Sequence, residues 1–413
     1  MKVGDRSSGV RRCERLVIAL YVATAALIPL QRGVWGPQHN VFKIFRQSFW
    51  HLVEGRNLYD AYPHEQGAGA ADLFKYSPTA ALLFAPFGPP SYAVALLAWS
   101  LLGAGLLWYA LTRVLPRERA VLAAALLYPD LLASLQACSS NAVVTASIIL
   151  TYVALERGHQ LRAAAAVVAG AAMKLFPLAA LTFALFHRRR RRFALVVMVV
   201  AAAALLSPLV VTSPALLAQQ YRWWYALELR DATDLLFGAS VMRLVRGWVG
   251  GTWPNWPVQL AGTAALLLPL VVRRDQWRKA EFRLHYMALL LVYAVLFNHQ
   301  AERASFVIAS AGVAIWCVTP PAGVQHPVLR AALAVLALVG LETIPLALVW
   351  LAMQAELYGW GLARVHLPWR ASVGTPAPSH HAVAAQGVPA FGADDASGVD
   401  PAVSSGPCTT HGD

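Results

Sequence analysis

The chain has 413 residues, of which 58% are hydrophobic and only 13% charged, and it carries a formal net charge of +13. A charged fraction about half that of a soluble domain excludes an ordinary water-soluble fold. The basic excess sits in short clusters, which points to membrane topology rather than nucleic acid; Cys13, Cys138, Cys317 and Cys408 have neither metal-ligand spacing nor neighbouring partners, so no disulfide or zinc framework is implied.

In chain order, a basic segment from Lys2 to Arg15 precedes an apolar run from Leu16 to Leu30 with no clear small-residue cleavage site. The expectation is an uncleaved signal anchor with a cytoplasmic N-terminus. Apolar runs approaching the roughly 20 residues that cross a bilayer then recur along most of the chain. They are continuous Ala/Leu/Val rather than roughly 10-residue alternating segments, which predicts an all-α polytopic membrane protein and not a β-barrel. About 9–12 transmembrane or half-membrane helices are expected over residues 1–365. Basic clusters at Arg113 to Arg119, Arg157 to Arg162, Arg188 to Arg192 and Arg273 to Lys279 are placed on the cytoplasmic side. Four connections are left facing outward: Val34 to Tyr76, Ser134 to Asn141, Thr212 to Pro257, and Asn298 to Ser305.

Chemistry-bearing side chains gather in these four connections. The first carries His39, Asn40, Asp72, Lys75 and Tyr76, and its Phe42, Phe45, Phe49 and Leu52 recur at helical spacing, which predicts an amphipathic helix anchored on the outer membrane surface. The second, "SLQACSSN", ends on Asn141, with helix capping as its default role. One segment, Leu161 to Phe186, begins and ends beside basic clusters. It is expected to enter as two half-helices that turn at "MKLFP" and hold Lys174 inside the membrane, where an unpaired cation costs about 3 kcal/mol or more; snorkelling to an interface is the alternative. The third connection holds Arg222 among Trp and Tyr residues, which anchor at headgroups and also stack on sugars. The fourth, "FNHQAERASF", puts His299, Glu302 and Arg303 at the mouth of two apolar spans, with His299 and Glu302 on one side of a helical turn. "GLETIP" interrupts the last apolar run, Val328 to Met353, which either crosses once or dips back; it reads as a loop between two short helices, with a buried functional Glu342 as the alternative, and residues 366–413, rich in Ala, Pro, Gly and Ser, are expected to be disordered.

Five motifs in order, "GRNLYD", "FKYSPTAALLFAPF", "SLQACSSN", "AAMKLFP" and "LFNHQAERASFVIASAGVAIW", resemble family 87 of the glycosyltransferases over roughly residues 15–355. The resemblance implies a GT-C-like bundle that uses a polyprenyl-phosphate sugar, typically mannose, at the outer face of the plasma membrane. It places the lipid-phosphate histidine on His299 and the lysine of the "KLFP" segment on Lys174. The family's general-base aspartate falls on His39 and Asn40, and the glutamine of the second-loop motif falls on Ser139; both are departures.

With Asn40 unable to act as base, Glu302 and His39 are the expected catalytic residues, ahead of Asp72 and Glu65. Lys174, His299, Arg303 and Lys75 are the expected phosphate-binding groups, and Asn40, Asp72, Tyr76, Asn141 and Arg222 complete the substrate-binding set. No cofactor or metal is expected, since no outward Asp-x-Asp pair is present to hold a metal and a diphosphate. The partners are a polyprenyl-phosphate sugar, a lipid or glycan acceptor and membrane lipids, without nucleic acid. Two other classes stay open: a lipid-linked-sugar flippase or transporter, and a catalytically silent homologue that binds the lipid carrier.

Overall fold

The computed structural model describes residues 3–34, 40–66, 72–231, 240–250, 254–321, 327–340 and 343–359. The expected tail, 366–413, and Glu342 of "GLETIP" lie outside them. Among the described residues there is no strand. In order the helices are α1 (Val3–Pro29), α2 (Val41–Val53), α3 (Pro63–Gln66), α4 (Pro78–Leu83), α5 (Tyr92–Val114), α6 (Arg117–Gln136), α7 (Asn141–Glu156), α8 (Gln160–Met173), α9 (Arg190–Leu206), α10 (Pro214–Asp231), α11 (Val241–Val249), α12 (Trp256–Val272), α13 (Ala280–Leu296), α14 (Phe306–Val318), α15 (Pro327–Gly340) and α16 (Thr343–Leu357). A 3-10 run, Phe176–Phe186, links α8 to α9.

Three helices are long and apolar enough to cross a membrane: Ser8–Arg32, Tyr92–Val114 and Arg190–Val210. Shorter apolar helices fill the bundle between them. In the middle, α7, α13 and α14 are buried along nearly their whole length. On the outside, α9 turns Leu195, Met198 and Val199 to its surroundings, the last 69% exposed. Such side chains are stable only against another apolar medium, so the chain is a polytopic membrane protein. Small residues let the central helices approach closely: a Cβ on Gly312 of α14 would stand 2.4 Å from the Ala288 carbonyl of α13.

Interhelical contacts sort the bundle into two ends. At the basic end Arg117 pairs with Glu14, Arg283 Nη2 lies 2.7 Å from Glu156 Oε2, and Arg273 Nη1 donates to Leu357 O at 3.4 Å. At the opposite end Asn40 meets Tyr92, Ser77 meets Ala172, and Thr79 Oγ1 donates to Ala204 O at 2.7 Å. The described parts of the four connections expected to face one way follow spans that alternate in direction, which assigns them to this opposite end. The helices α15 and α16 form a hairpin stapled by Arg330 and Glu356, at 2.6 Å, both buried at the basic end.

The amphipathic helix expected near residue 42 is α2, but its apolar face is not a membrane anchor. Phe42 and Phe45 are buried against Phe84, Phe87, Tyr92 and Trp99, with the Phe45 and Phe84 ring centroids 4.7 Å apart. Arg46 locks this packing by donating to the carbonyls of Phe87, Gly88 and Pro90. Helical periodicity identifies an apolar face; it does not say whether lipid or protein covers it.

Candidate functional site

The segment around Lys174 folds back on itself. Helix α8 ends at Met173, Lys174 is extended (φ −151°, ψ 136°), and Pro177, which cannot continue an α-helix ladder, opens the 3-10 run. Both ends of this hairpin meet at the basic end of the bundle: Gln160 Nε2 donates to Arg189 O at 3.4 Å, and His187 Nε2 lies 3.5 Å from Glu156 Oε1. Gly170 makes the fold-back possible, since a Cβ there would press on Ser147 and on Pro177. Lys174 therefore stands at the tip of the hairpin, at the opposite end.

The first connection latches onto this tip. Ser77 donates through its amide and its hydroxyl to Ala172 O, at 3.3 and 2.9 Å, while its hydroxyl also accepts from Ala80 N to cap α4. Pro78 occupies the first turn of that helix, where no amide donor is needed. This places Tyr76 beside the hairpin, fixed by the Phe45 and Phe74 rings at 5.0 and 5.4 Å and by Tyr59, whose hydroxyl donates to Tyr76 O at 3.0 Å.

The fourth connection supplies the facing charge. Residues 298–301 form a turn in which Ala301 N donates to Asn298 O at 3.1 Å, and Glu302 stands at the head of a 3-10 turn, Arg303–Ser305. His299 and Glu302 consequently do not share a helical face; His299 Nδ1 lies 3.4 Å from Gln259 Nε2 instead. The exposed carboxylate of Glu302 is the acidic charge that acts on Lys174, and it acts on Tyr76 as well, with Asp72 adding to the field at Tyr76. Burial first, then Glu302, raises the Tyr76 phenol, which keeps it protonated and able to donate. Arg303 does not pair with Glu302. It pairs with Asp130, a buried carboxylate of α6 that Ser310 also contacts.

The second connection closes the site. Cys138 adopts φ +55°, unusual for a residue with a Cβ, and is held there by Trp99 Nε1 donating to its carbonyl at 3.1 Å. Capping by hydroxyl groups, the default expectation, is only partly met: Ser140 precedes α7 without a side-chain cap, and Asn141 Nδ2 donates to Ser139 Oγ at 3.1 Å. Asn141 Oδ1 and Ser305 Oγ are buried without a hydrogen-bond partner among the described residues, while the Ser140 side chain interacts with the Tyr76 phenol. Unsatisfied polar atoms at the heads of α7 and α14 are costly unless a ligand or water completes them.

The Glu302 charge thus acts on both Lys174 and Tyr76, Asp72 adds to the field at Tyr76, and Arg303, next in sequence to Glu302, is tied to Asp130. Asn40 stands apart: it is buried at the start of α2 and exchanges hydrogen bonds with Tyr92 at 2.6 and 2.9 Å. Arg222 is exposed on α10, a helix tied to the first connection through Gln220, which donates to Arg56 O and accepts from Leu58 N. His39 lies outside the described residues. Sequence reasoning missed Asp130, although a lone carboxylate after Pro129 in the apolar stretch Ala120 to Leu135 was a visible signal. Among the described residues no three His, Cys, Asp or Glu side chains gather as a metal site requires.

The family model of glycosyltransferase family 87 matches residues 74–298, more than half of the chain. That span holds Lys75, Tyr76, Asp130, Asn141, Lys174 and Arg222; it is shorter than the stretch over which ordered motifs resemble the family, and His299, Glu302 and Arg303 follow just beyond it. No curated protein and no solved structure matches the chain.

Proposed function

The chain belongs to glycosyltransferase family 87 and is a membrane glycosyltransferase, and we propose that it transfers a hexose, mannose in the first instance, from a polyprenyl-phosphate carrier to a lipid or glycan acceptor at the outer face of the plasma membrane. The observation that supports this reading is that Glu302 is the acidic charge acting on Lys174, at the end opposite the basic clusters. A cation and a carboxylate from segments 128 positions apart in sequence, held beside unsatisfied donors and acceptors, are what displacement at a sugar phosphate needs.

In this reading the acceptor hydroxyl oxygen attacks the anomeric carbon while the bond from that carbon to the phosphate oxygen breaks, its electron pair leaving on the polyprenyl phosphate. The hydroxyl proton passes to Glu302. Lys174 and Arg303 take up the charge that develops on the leaving phosphate, with Tyr76 and Asn141 orienting the sugar. The positive-inside rule supports the outer placement, since Arg113 to Arg119, Arg188 to Arg192 and Arg273 to Lys279 share the other end. His39, the second candidate base, remains part of this proposal.

The test offers the purified protein radiolabelled polyprenyl-phosphate mannose, polyprenyl-phosphate glucose or the corresponding nucleotide sugars, with membrane lipid extract as acceptor. Label should move from a polyprenyl-phosphate hexose. Transfer from a nucleotide sugar alone, or from no hexose donor, would overturn the reading.

A further inference from the structure

Among the described residues, two of the arginine–carboxylate pairs that tie helical segments together have a carboxylate less than a tenth exposed, and they differ in one respect. Arg330 and Glu356, at the basic end, are both buried, with side chains 2% and 8% exposed, and Arg330 is further covered by the Trp316 ring at 4.0 Å. That pair is a staple. Asp130 and Arg303, at the opposite end, are lopsided: the aspartate is 1% exposed and the arginine 44%. The buried carboxylate spends one oxygen on Arg303 Nη1 and the other on Ser310 Oγ, so it is fixed from two points of the same helix region. The guanidinium carbon lies over the Phe306 ring, 6.0 Å from its centroid.

Joining α6 to α14 does not require a charge. The two helices already pack along their length, and a buried ion pair is no more stabilising than well-packed apolar residues of the same volume. What a carboxylate achieves that an apolar residue cannot is to hold a guanidinium by one edge. Arg303 has five N–H donors in a rigid fork, and anchoring Nη1 on Asp130 leaves other donors free in a side chain that is 44% exposed and follows Glu302 directly in the chain.

We propose that Asp130 is a positioning residue that holds Arg303 toward the phosphate of a polyprenyl monophosphate. This rests on the reading of Lys174, Glu302 and Arg303 as the donor end. The test measures binding of farnesyl phosphate, a short polyprenyl monophosphate, by the full chain in detergent for the parent, Asp130→Asn, Arg303→Gln and the double variant. Asp130→Asn is expected to weaken binding about tenfold in the parent but less than about twofold in Arg303→Gln, because its effect runs through the arginine. Asp130→Glu should restore much of the affinity, and its thermal midpoint guards against a variant that fails to fold. Equal losses from Asp130→Asn in both backgrounds, or no loss in the parent, would reduce Asp130 to a structural link and overturn the inference alone. A parent that does not bind farnesyl phosphate would overturn the donor reading itself, and this inference with it.

Discussion

Lys174 and Glu302 illustrate how a residue out of place reveals itself. A cation in "AAMKLFP" and a carboxylate in "FNHQAERASF" stand out because their surroundings are apolar, and the structure sets them within electrostatic reach. Lys174→Met is expected to raise KM for the donor about tenfold or more while leaving folding intact, which donor titration and a thermal melt will check. Asp130 offered the same signal in "LLYPDLLASL" and was passed over, since its partner Arg303 comes from a connection 173 residues away and spacing carries no trace of it. A different cluster, outside the spans, predicts a pH response. His51 Nε2 lies 2.6 Å from Glu65 Oε2, and Arg56 Nη1 lies 2.7 Å from Oε1. Burial lowers His51 more than Glu65 can offset. Burial alone would raise Glu65, but hydrogen bonds from Arg56 and His51 bring it down. Both groups bind protons more weakly folded than unfolded, so their stabilisation is complete above the ordinary histidine value of about 6.5 and is lost as pH falls through the lowered values. The thermal midpoint of the solubilised protein should stay level from about pH 8 to about 6.5 and then decline, with His51→Asn flattening the first part of that decline. A midpoint that rises on acidification would contradict this account of the clasp.

At the scale of elements, the hairpin of α8 and the 3-10 run was legible because arginines flank both of its ends and Pro177 sits at its turn, so one crossing would have put basic charge on both sides. The two short helices α15 and α16 were legible from "GLETIP" for a similar reason: a charge and a proline interrupt an apolar run. The role of α2 was not, because Phe42 and Phe45 find their partners in residues 84 to 99, which periodicity cannot indicate. Close packing of α13 on α14 is equally invisible in sequence, where Gly312 is one small residue among many. Gly312→Ala should destabilise the bundle more than Gly105→Ala, since the first places a Cβ against a backbone carbonyl at 2.4 Å and the second meets nothing within 4 Å. Thermal melts of the two variants, with a loss of about 1–3 kcal/mol expected only for Gly312→Ala, provide the check.

For the molecule as a whole, the alternation of basic and polar connections indicated which parts share an end, and Ser77, Ala172 and the Lys174 tip lie at the end opposite Arg113 to Arg119, Arg188 to Arg192 and Arg273 to Lys279. Single cysteines placed at Asp72 and at Arg189 should react with a membrane-impermeant thiol reagent from opposite sides of intact cells, Asp72 from outside and Arg189 only after the membrane is opened. Labelling of both from one side would contradict the hairpin and the outer site together. The most direct test of the central claim compares hexose transfer from polyprenyl-phosphate mannose by the parent and by Glu302→Gln, both purified and matched for folding. The account predicts transfer by the parent and a fall of about a hundredfold or more in kcat for the variant, with donor KM little changed; a variant as fast as the parent would place the base elsewhere and contradict the role given to the pair of Glu302 and Lys174.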